Sequence, residues 1–400
     1  MTQHHDPQHR GDWKQSTKTK TQAHAEAEFP ETEREEEDRE TLPTWKVRPS
    51  NWDKHRNIRI PTKPNEDLAE ETGIHIGDGA LSMGVKKTGR HYYWHRISGS
   101  IIDDRIYLQY HVLPLIQKLY NVPEKARINE SQHEMSYVYE SRAVAQFKSL
   151  VLGLPAGKKI GITMPTVFTR DSKLIRACIK GITDTDGTVT FHKRRGRHRY
   201  PQILIKNSSR PLIEQMADLI EKELGVNTSL TLDKLYQDSK IIRRRPMNWL
   251  RVNGEEALQI WMKKIGLANP SHLSRLMVWK KYGVIPPYTT FPQRVAMIAG
   301  EFDPHIYYER GKAALPEPTK ISQQTLINVL RKMRHQYGEP KTLPSLSLLL
   351  VRITKIIRNE MRWSRLPECP RASISRPGFE FARPHGFCGL PATARYPLSA

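Results

Sequence analysis

Two Asp-Gly pairs, Asp78-Gly79 and Asp186-Gly187, stand 108 residues apart, and each closes the same pattern. Ala69, Gly73, Ile74, Asp78 and Gly79 recur at that one offset as Ala177, Gly181, Ile182, Asp186 and Gly187. A lone aspartate before glycine is an ordinary turn cap. Two matched carboxylates brought side by side, next to the bare carbonyls of helix C-termini, instead form an oxygen-rich site that attracts a hard divalent cation. Such a site suits metal-assisted hydrolysis.

The elements that would bring the two acids together are legible in the spacing. Ala69, Gly73 and Gly77 fall at i, i+4 and i+8, and Ala177, Gly181 and Thr185 repeat that stripe. Small residues four apart let two helix backbones approach closely, so helices over 67–77 and 172–185 are expected to dock. A glycine after each aspartate is expected to stop its helix and permit a turn. Strands are expected at 80–85 and 91–98 in the first copy and at 188–193 and 202–207 in the second. Helices at 107–120, kinked at Pro114, and 211–224 follow. Their shared motif, Leu115-Ile116-x-Lys118 with Val122, returns as Leu219-Ile220-x-Lys222 with Val226 at an offset of 104. Strands at 136–139, 228–234 and 249–252 and helices at 142–152 and 255–265 complete an α/β (α+β) reading with two consecutive copies of one unit.

The segments Leu68-Ala69-Glu70-Glu71-Thr72-Gly73-Ile74-His75-Ile76-Gly77-Asp78-Gly79 and Ile175-Arg176-Ala177-Cys178-Ile179-Lys180-Gly181-Ile182-Thr183-Asp184-Thr185-Asp186-Gly187 resemble the paired signature helices of LAGLIDADG homing endonucleases. Met164-Pro165 lies where relatives carry Ile-Pro. The resemblance covers about residues 58 to 282. It implies a monomer built as a pseudo-dimer of two pseudo-symmetric αββαββα repeats, whose curved sheets enter the major groove of double-stranded DNA. It also implies Asp78 and Asp186 as catalytic metal ligands for Mg²⁺ or Mn²⁺, with Gly77 and Thr185 offering backbone carbonyls. Relatives add a basic residue per half. Lys158 and Lys159 suit the first, while the second half departs from the pattern at Asn269-Pro270-Ser271-His272, leaving Lys263, Lys264 or His272. Asn207 resembles a polar, water-organising position with no clear counterpart in the first half.

Groove-reading strands alternate apolar with polar or basic side chains. Lys86, Lys87, Arg90, His91, Tyr93, His95 and Arg96 flank the first strand pair; Lys193, Arg194, Arg195, Arg197 and Arg199 join the second pair, and Arg243, Arg244 and Arg245 form a further cluster. The composition agrees. With 64 Lys+Arg against 42 Asp+Glu the formal charge is +22, which points to a polyanion because cationic side chains release counterions from phosphates. No run of 18 apolar residues exists, so a membrane span is not expected; nor does the start read as a secretion signal. Three cysteines, Cys178, Cys369 and Cys388, are too few and scattered for a disulfide framework, so an intracellular chain is expected.

The expected organisation is a polar arm over 1–45, repeats over 56–165 and 166–287, a helical extension over 288–366 with helices at 321–337 and 346–361, and an aperiodic tail over 367–400. Residues Glu31 to Glu40 are locally acidic, with seven acids against two arginines. Neither an intein's nucleophilic first residue nor its terminal His-Asn is present, and the chain reads as free-standing. The competing function is a relative that has lost cleavage, an RNA-splicing maturase bound to structured intron RNA or a DNA-binding regulator. Retention of both acids favours the nuclease.

Overall fold

The structure is a computed structural model that describes residues 41–123, 126–129, 134–233, 247–311, 315 and 321–337. Residues 1–40 of the expected arm, Arg243–Arg245, the helix expected at 346–361 and the tail at 367–400 lie outside them. The chain opens with a short helix α1 (Asn51–His55), held by a capping box in which Ser50 and Asp53 bond each other's backbone amides. Next comes α2 (Glu66–Asp78), started by Asn65, whose side chain accepts from Leu68 N. Strands β1 (Gly79–Val85) and β2 (His91–Ser100) follow, then α3 (Arg105–Tyr107), a π-helical turn at Leu108–Val112 and α4 (Leu113–Tyr120). The irregularity expected at Pro114 is taken up by that π turn, so Pro114 enters the first turn of α4, where its missing N–H costs nothing. β3 (Ala126–Asn129), β4 (Glu134–Glu140), α5 (Arg142–Gln146) and a second π turn at Phe147–Val151 complete the first repeat.

The second repeat retraces the order: α6 (Ser172–Asp186), β5 (Gly187–Arg194), β6 (Arg197–Asn207), α7 (Arg210–Leu224), β7 (Thr228–Thr231), β8 (Asn248–Asn253) and α8 (Glu255–Lys264). Each repeat forms one antiparallel four-stranded sheet, with orders β1-β2-β4-β3 and β5-β6-β8-β7. Even the registers match, since Gly79 pairs with Ile97 as Gly187 pairs with Ile205. Among the described residues four helices follow, α9 (Pro270–Tyr282), α10 (Phe291–Ala299), α11 (Ile306–Arg310) and α12 (Gln323–Tyr337). No helix among the described residues is long and apolar enough to cross a membrane.

One continuous apolar core underlies both sheets and the paired helices. At its centre α2 lies against α6 with almost no side chain between them. A Cβ built on Gly73 would fall 2.2 Å from the Cys178 carbonyl oxygen, and one on Gly181 the same distance from that of Glu70. The small-residue stripe is therefore the seam. Polar pairs frame it: Glu70 accepts from His111 Nε2 at 2.5 Å and from Lys180 of the opposite helix. Burial would raise the Glu70 carboxyl, but Lys180 and His111 outweigh it and hold it well below the usual range.

The glycines after each aspartate act differently from expectation. Gly79 and Gly187 are extended rather than turned, and each helix runs straight into its strand. Glycine is required because a Cβ there would meet the backbone one turn back, 2.6 Å from His75 O and 2.4 Å from Thr183 O.

Beneath the first sheet sits a fully buried ion pair. Lys148 Nζ donates to both Glu71 oxygens at 2.6 and 2.7 Å, and the Tyr120 hydroxyl donates to Glu71 at 2.9 Å. Lys148→Met would leave that carboxylate buried without its cation, so the variant is expected to lose about 3–5 kcal/mol in a denaturant titration. A loss under about 1 kcal/mol would show that the buried pair adds no net stability.

Candidate active site and nucleic-acid face

Docking at the glycine seam sets the C-terminal ends of α2 and α6 together, and with them Asp78 and Asp186. Both side chains are half-buried. Burial, then the charges of Asp186 and Asp104, pushes the Asp78 carboxyl up to about 8, against the pull of Lys159. Burial raises Asp186 less, to about 6, because Lys159 and a hydrogen bond from Asn207 oppose it. Asn207 Nδ2 donates to Asp186 Oδ2 at 2.6 Å, while its Oδ1 accepts from Ser209 N at 2.7 Å, which fixes the amide's orientation. The two carboxyls are thus close enough for the charge of Asp186 to act on Asp78.

Lys159 is held in reach of both. Its loop is pinned to β1 by the bond from Gly157 N to Leu81 O at 2.8 Å, and its ammonium donates to the carbonyls of His75 (3.1 Å), Ile76 (2.6 Å) and Gly77. It caps the orphan carbonyls of α2, and burial lowers its pKa despite the attraction of Asp186 and Asp78. Lys158 beside it is exposed. Gly77 and Thr185 meet at the seam, where a Cβ on Gly77 would fall 1.9 Å from Thr185 Oγ1, and that hydroxyl donates back to Gly181 O at 2.9 Å.

The second half carries no matching lysine. Lys263 is exposed on the last turn of α8, and Lys264 caps that of α7 through Glu223 O at 3.0 Å. His272 is buried, with burial and then Arg275 and Arg294 pushing it down to about 3. Those three expectations are corrected by the chain path, which enters α9 at Pro270 and leaves Asn269 at the helix end instead. Asn269 Nδ2 donates to Asp184 O and to Asp104 Oδ1, both at 3.0 Å, so a neutral amide stands at the end of α6 where Lys159 stands at the end of α2. Asp104 and Asn269 carry no repeat signal and were not legible beforehand.

The two sheets expose their basic residues unevenly. Lys86, Lys87 and Arg90 sit exposed at the β1–β2 hairpin, with Arg96 further along the outer face of β2; Lys193, Arg194, Arg195, Arg197 and Arg199 are exposed around the β5–β6 hairpin. Arg194 lies over the Tyr200 ring at 3.5 Å. His95 is a correction: alternation along β2 turns it inward, where it is buried and stacked between His75 (4.7 Å) and Tyr139 (4.6 Å). Tyr93 shares that inner parity, with Arg142 5.8 Å from its ring centre, so it is not on the outer face either. Sequence reading passed over Lys206, Trp249 and Arg251. Lys206 and Arg251 lie 4.4 and 4.8 Å from the Trp249 ring centre, and the alternation of Asn-Trp-Leu-Arg-Val-Asn at 248–253 was the available signal.

Two repeats of one α+β unit, joined at paired helices with an acid from each, define the class of fold. Residues 173–266, which span most of the second repeat, match the family model of the LAGLIDADG-like domain, and the first repeat has the same element order as the second. No curated protein matches the sequence. Among solved structures the chain is similar to I-DmoI in complex with DNA and Ca (19% identity, 51% of this chain and 93% of that chain, TM-score 0.37). It is also similar to the homing endonuclease I-WcaI bound to its DNA recognition sequence (9%, 51% and 83%, TM-score 0.33) and to the N-terminal LAGLIDADG domain of DUF199/WhiA (11%, 52% and 87%, TM-score 0.31).

Proposed function

We propose that the chain is a site-specific double-strand DNA endonuclease whose divalent-metal site is built on Asp78 and Asp186. The observation that carries this reading is the convergence of these two acids at the seam, where burial raises both carboxyls and the charge of Asp186 raises Asp78 further. The donor set fits Mg²⁺ or Mn²⁺. Among the described residues no three His, Cys, Asp or Glu side chains cluster to hold a metal by themselves, which suits an ion bound by one or two carboxylates plus carbonyls and the substrate's own phosphate. A bound ion supplies an activated water and neutralises the leaving oxygen.

The chain's own groups do the rest. Asn207 fixes the rotamer of Asp186, and Lys159 sets positive charge between the acids and the end of α2. Arg96, Lys206, Arg251 and the two basic hairpins engage phosphates and base edges along the sheets. The RNA-splicing and regulatory alternatives keep the same nucleic-acid face but need neither acid.

Incubating the protein with a randomised duplex library in Mg²⁺ tests the reading: a defined cut sequence is expected, and tight duplex binding with no cut in Mg²⁺ or Mn²⁺ would overturn it. Because the Asp78 carboxyl is pushed up to about 8, metal must displace a proton below that pH. Apparent Mg²⁺ affinity, followed calorimetrically on the free protein, is expected to rise about tenfold per pH unit from 6 to 8 and then level off. A pH-independent affinity would place the ion elsewhere.

A further inference from the structure

The two repeats differ at the far end of their sheets, and the difference leaves a built groove on one of them. Ser141 N donates to Tyr93 O at 3.1 Å as Gly254 N donates to Pro201 O at 3.0 Å, so Tyr93 and Pro201 are equivalent. In the second repeat that corner is covered. Trp279 Nε1 donates to Arg199 O at 2.9 Å, Ile285 N donates to His198 O at 3.0 Å, and the Tyr308 hydroxyl accepts from His198 N at 3.2 Å. In the first repeat no described helix takes that place. The segment 41–57 instead forms one wall of a groove of about 1130 Å³ that runs from Trp52 past Tyr93 to Arg142.

That wall is fixed, not loosely laid. Asp53 is buried and accepts from Ser50 N (2.8 Å), Ser141 Oγ (2.7 Å) and Ala143 N (3.1 Å), while Arg48 N donates to Gln146 Oε1 at 2.8 Å and Arg59 N to Tyr120 O at 3.0 Å. With Asp53 so engaged, Glu140 is the one other carboxylate lining the groove, against Arg56, Arg90 and Arg142. The Trp52 ring is open to solvent, 54% exposed, while Trp94 at the rim lies on the side of the sheet that carries Arg96. Arg56 lies 4.0 Å from the Trp52 ring centre. One lining group, Arg142 Nε, is buried with no hydrogen-bond partner, so the groove holds a donor that a ligand would satisfy.

We infer that this groove binds unpaired nucleotides of a single-stranded nucleic acid, with phosphates on the guanidinium groups of Arg56 and Arg142 and a base stacked on Trp52. The exposed Trp52 indole favours this occupant over a duplex, because bases inside a helix already cover each other's faces whereas unpaired ones seek an aromatic partner. Tyr93 and Tyr139 point to the opposite side of the sheet from Arg96, whereas Trp94, Val138 and Glu140 share the side of Arg96, so the groove wraps the open end of the sheet and its wall of Trp52, Arg56 and Arg142 lies off the outer strand face. The inference holds whether or not the protein cuts a duplex.

The test uses the full chain and fluorescein-labelled oligo(dT) and oligo(U) of about 15 nucleotides, with an excess of unlabelled duplex to occupy the outer face. Anisotropy is expected to report binding that the duplex does not displace, accompanied by quenching of tryptophan fluorescence. Trp52→Ala and Arg142→Ala are each expected to weaken it about tenfold or more, and Arg142→Ala to flatten the salt dependence by about 0.7 in log–log slope, with duplex affinity unchanged. Arg56→Glu, whose side chain makes no hydrogen bond that the fold depends on, gives the same readout should either alanine variant fail to fold. Stronger binding of one oligomer identifies RNA or DNA as the preferred strand. Full displacement by duplex, wild-type affinity in all the variants, or an equal loss of duplex and single-strand binding would overturn the inference.

Discussion

Asp78→Asn and Asp186→Asn are each expected to cut Mg²⁺-dependent cleavage of the selected target by at least about 10³-fold, while duplex affinity changes little. Each substitution removes one anionic oxygen from a site that has few others, and neither side chain lies among the outward-facing arginines and lysines of the sheets. Strand-resolved cleavage assays and anisotropy on the same preparations check both halves of the statement. Retained cutting in either variant would show that the acids are structural caps. A thermal signature accompanies the loss. In the metal-free protein the Asp78 carboxyl is pushed up to about 8 from a reference of 3.8. The folded state therefore holds a proton that the unfolded chain releases, and this strain grows as pH rises from about 4 to 8. Asp78→Asn should accordingly melt several degrees above wild type at pH 8, the two curves converging near pH 4. An enzyme variant that is inactive yet more stable separates a lost function from a lost fold.

The second large effect is at the seam. Gly181→Val would drive a branched side chain into the backbone of α2, since even a Cβ at this position falls 2.2 Å from Glu70 O and 2.8 Å from Ile74 N. Backbone on both sides leaves nothing to rotate away, so the helices must separate. Stability is expected to fall by more than about 4 kcal/mol, at the upper end for point substitutions. Gly73→Ala, facing Cys178 O at 2.2 Å, should do the same on a smaller scale. Chemical denaturation measures both, and tolerance of valine would mean the helices pack through other residues.

These glycines were legible because close helix contact has a one-letter requirement: the backbone distance forbids anything larger. The duplicated offset made them visible twice, and the same duplication found the acids and the strand pairs, whereas Asn207, without a counterpart in the first copy, came from the family resemblance. What escaped detection lacked that redundancy. Asn269 and Asp104 meet through a path in which Pro270 starts a helix the repeat does not possess in its first copy. Lys263 and Lys264 had the right charge and approximate position, but the pitch of α8 turned them to solvent and to the end of α7. His95 and Tyr93 were misplaced for a simpler reason. A basic and aromatic strand looks groove-facing throughout, and only its period of two, anchored by Ile97 in the core, tells which members turn inward. The π turns at Leu108–Val112 and Phe147–Val151 left no trace in the hydropathy pattern.

The two repeats share one chain, joined through residues 153–171, and this has a consequence for how the acid pair persists. Two separate subunits would have to overcome the mutual repulsion of Asp78 and Asp186 each time they met, and dilution would part them. Tethered, each helix sees the other at an effective concentration of about millimolar or above. Closure of the seam is then a first-order event, indifferent to how much protein is present. The halves are also free to drift apart in sequence without losing each other, and a lysine caps the end of one paired helix where an asparagine caps the end of its twin.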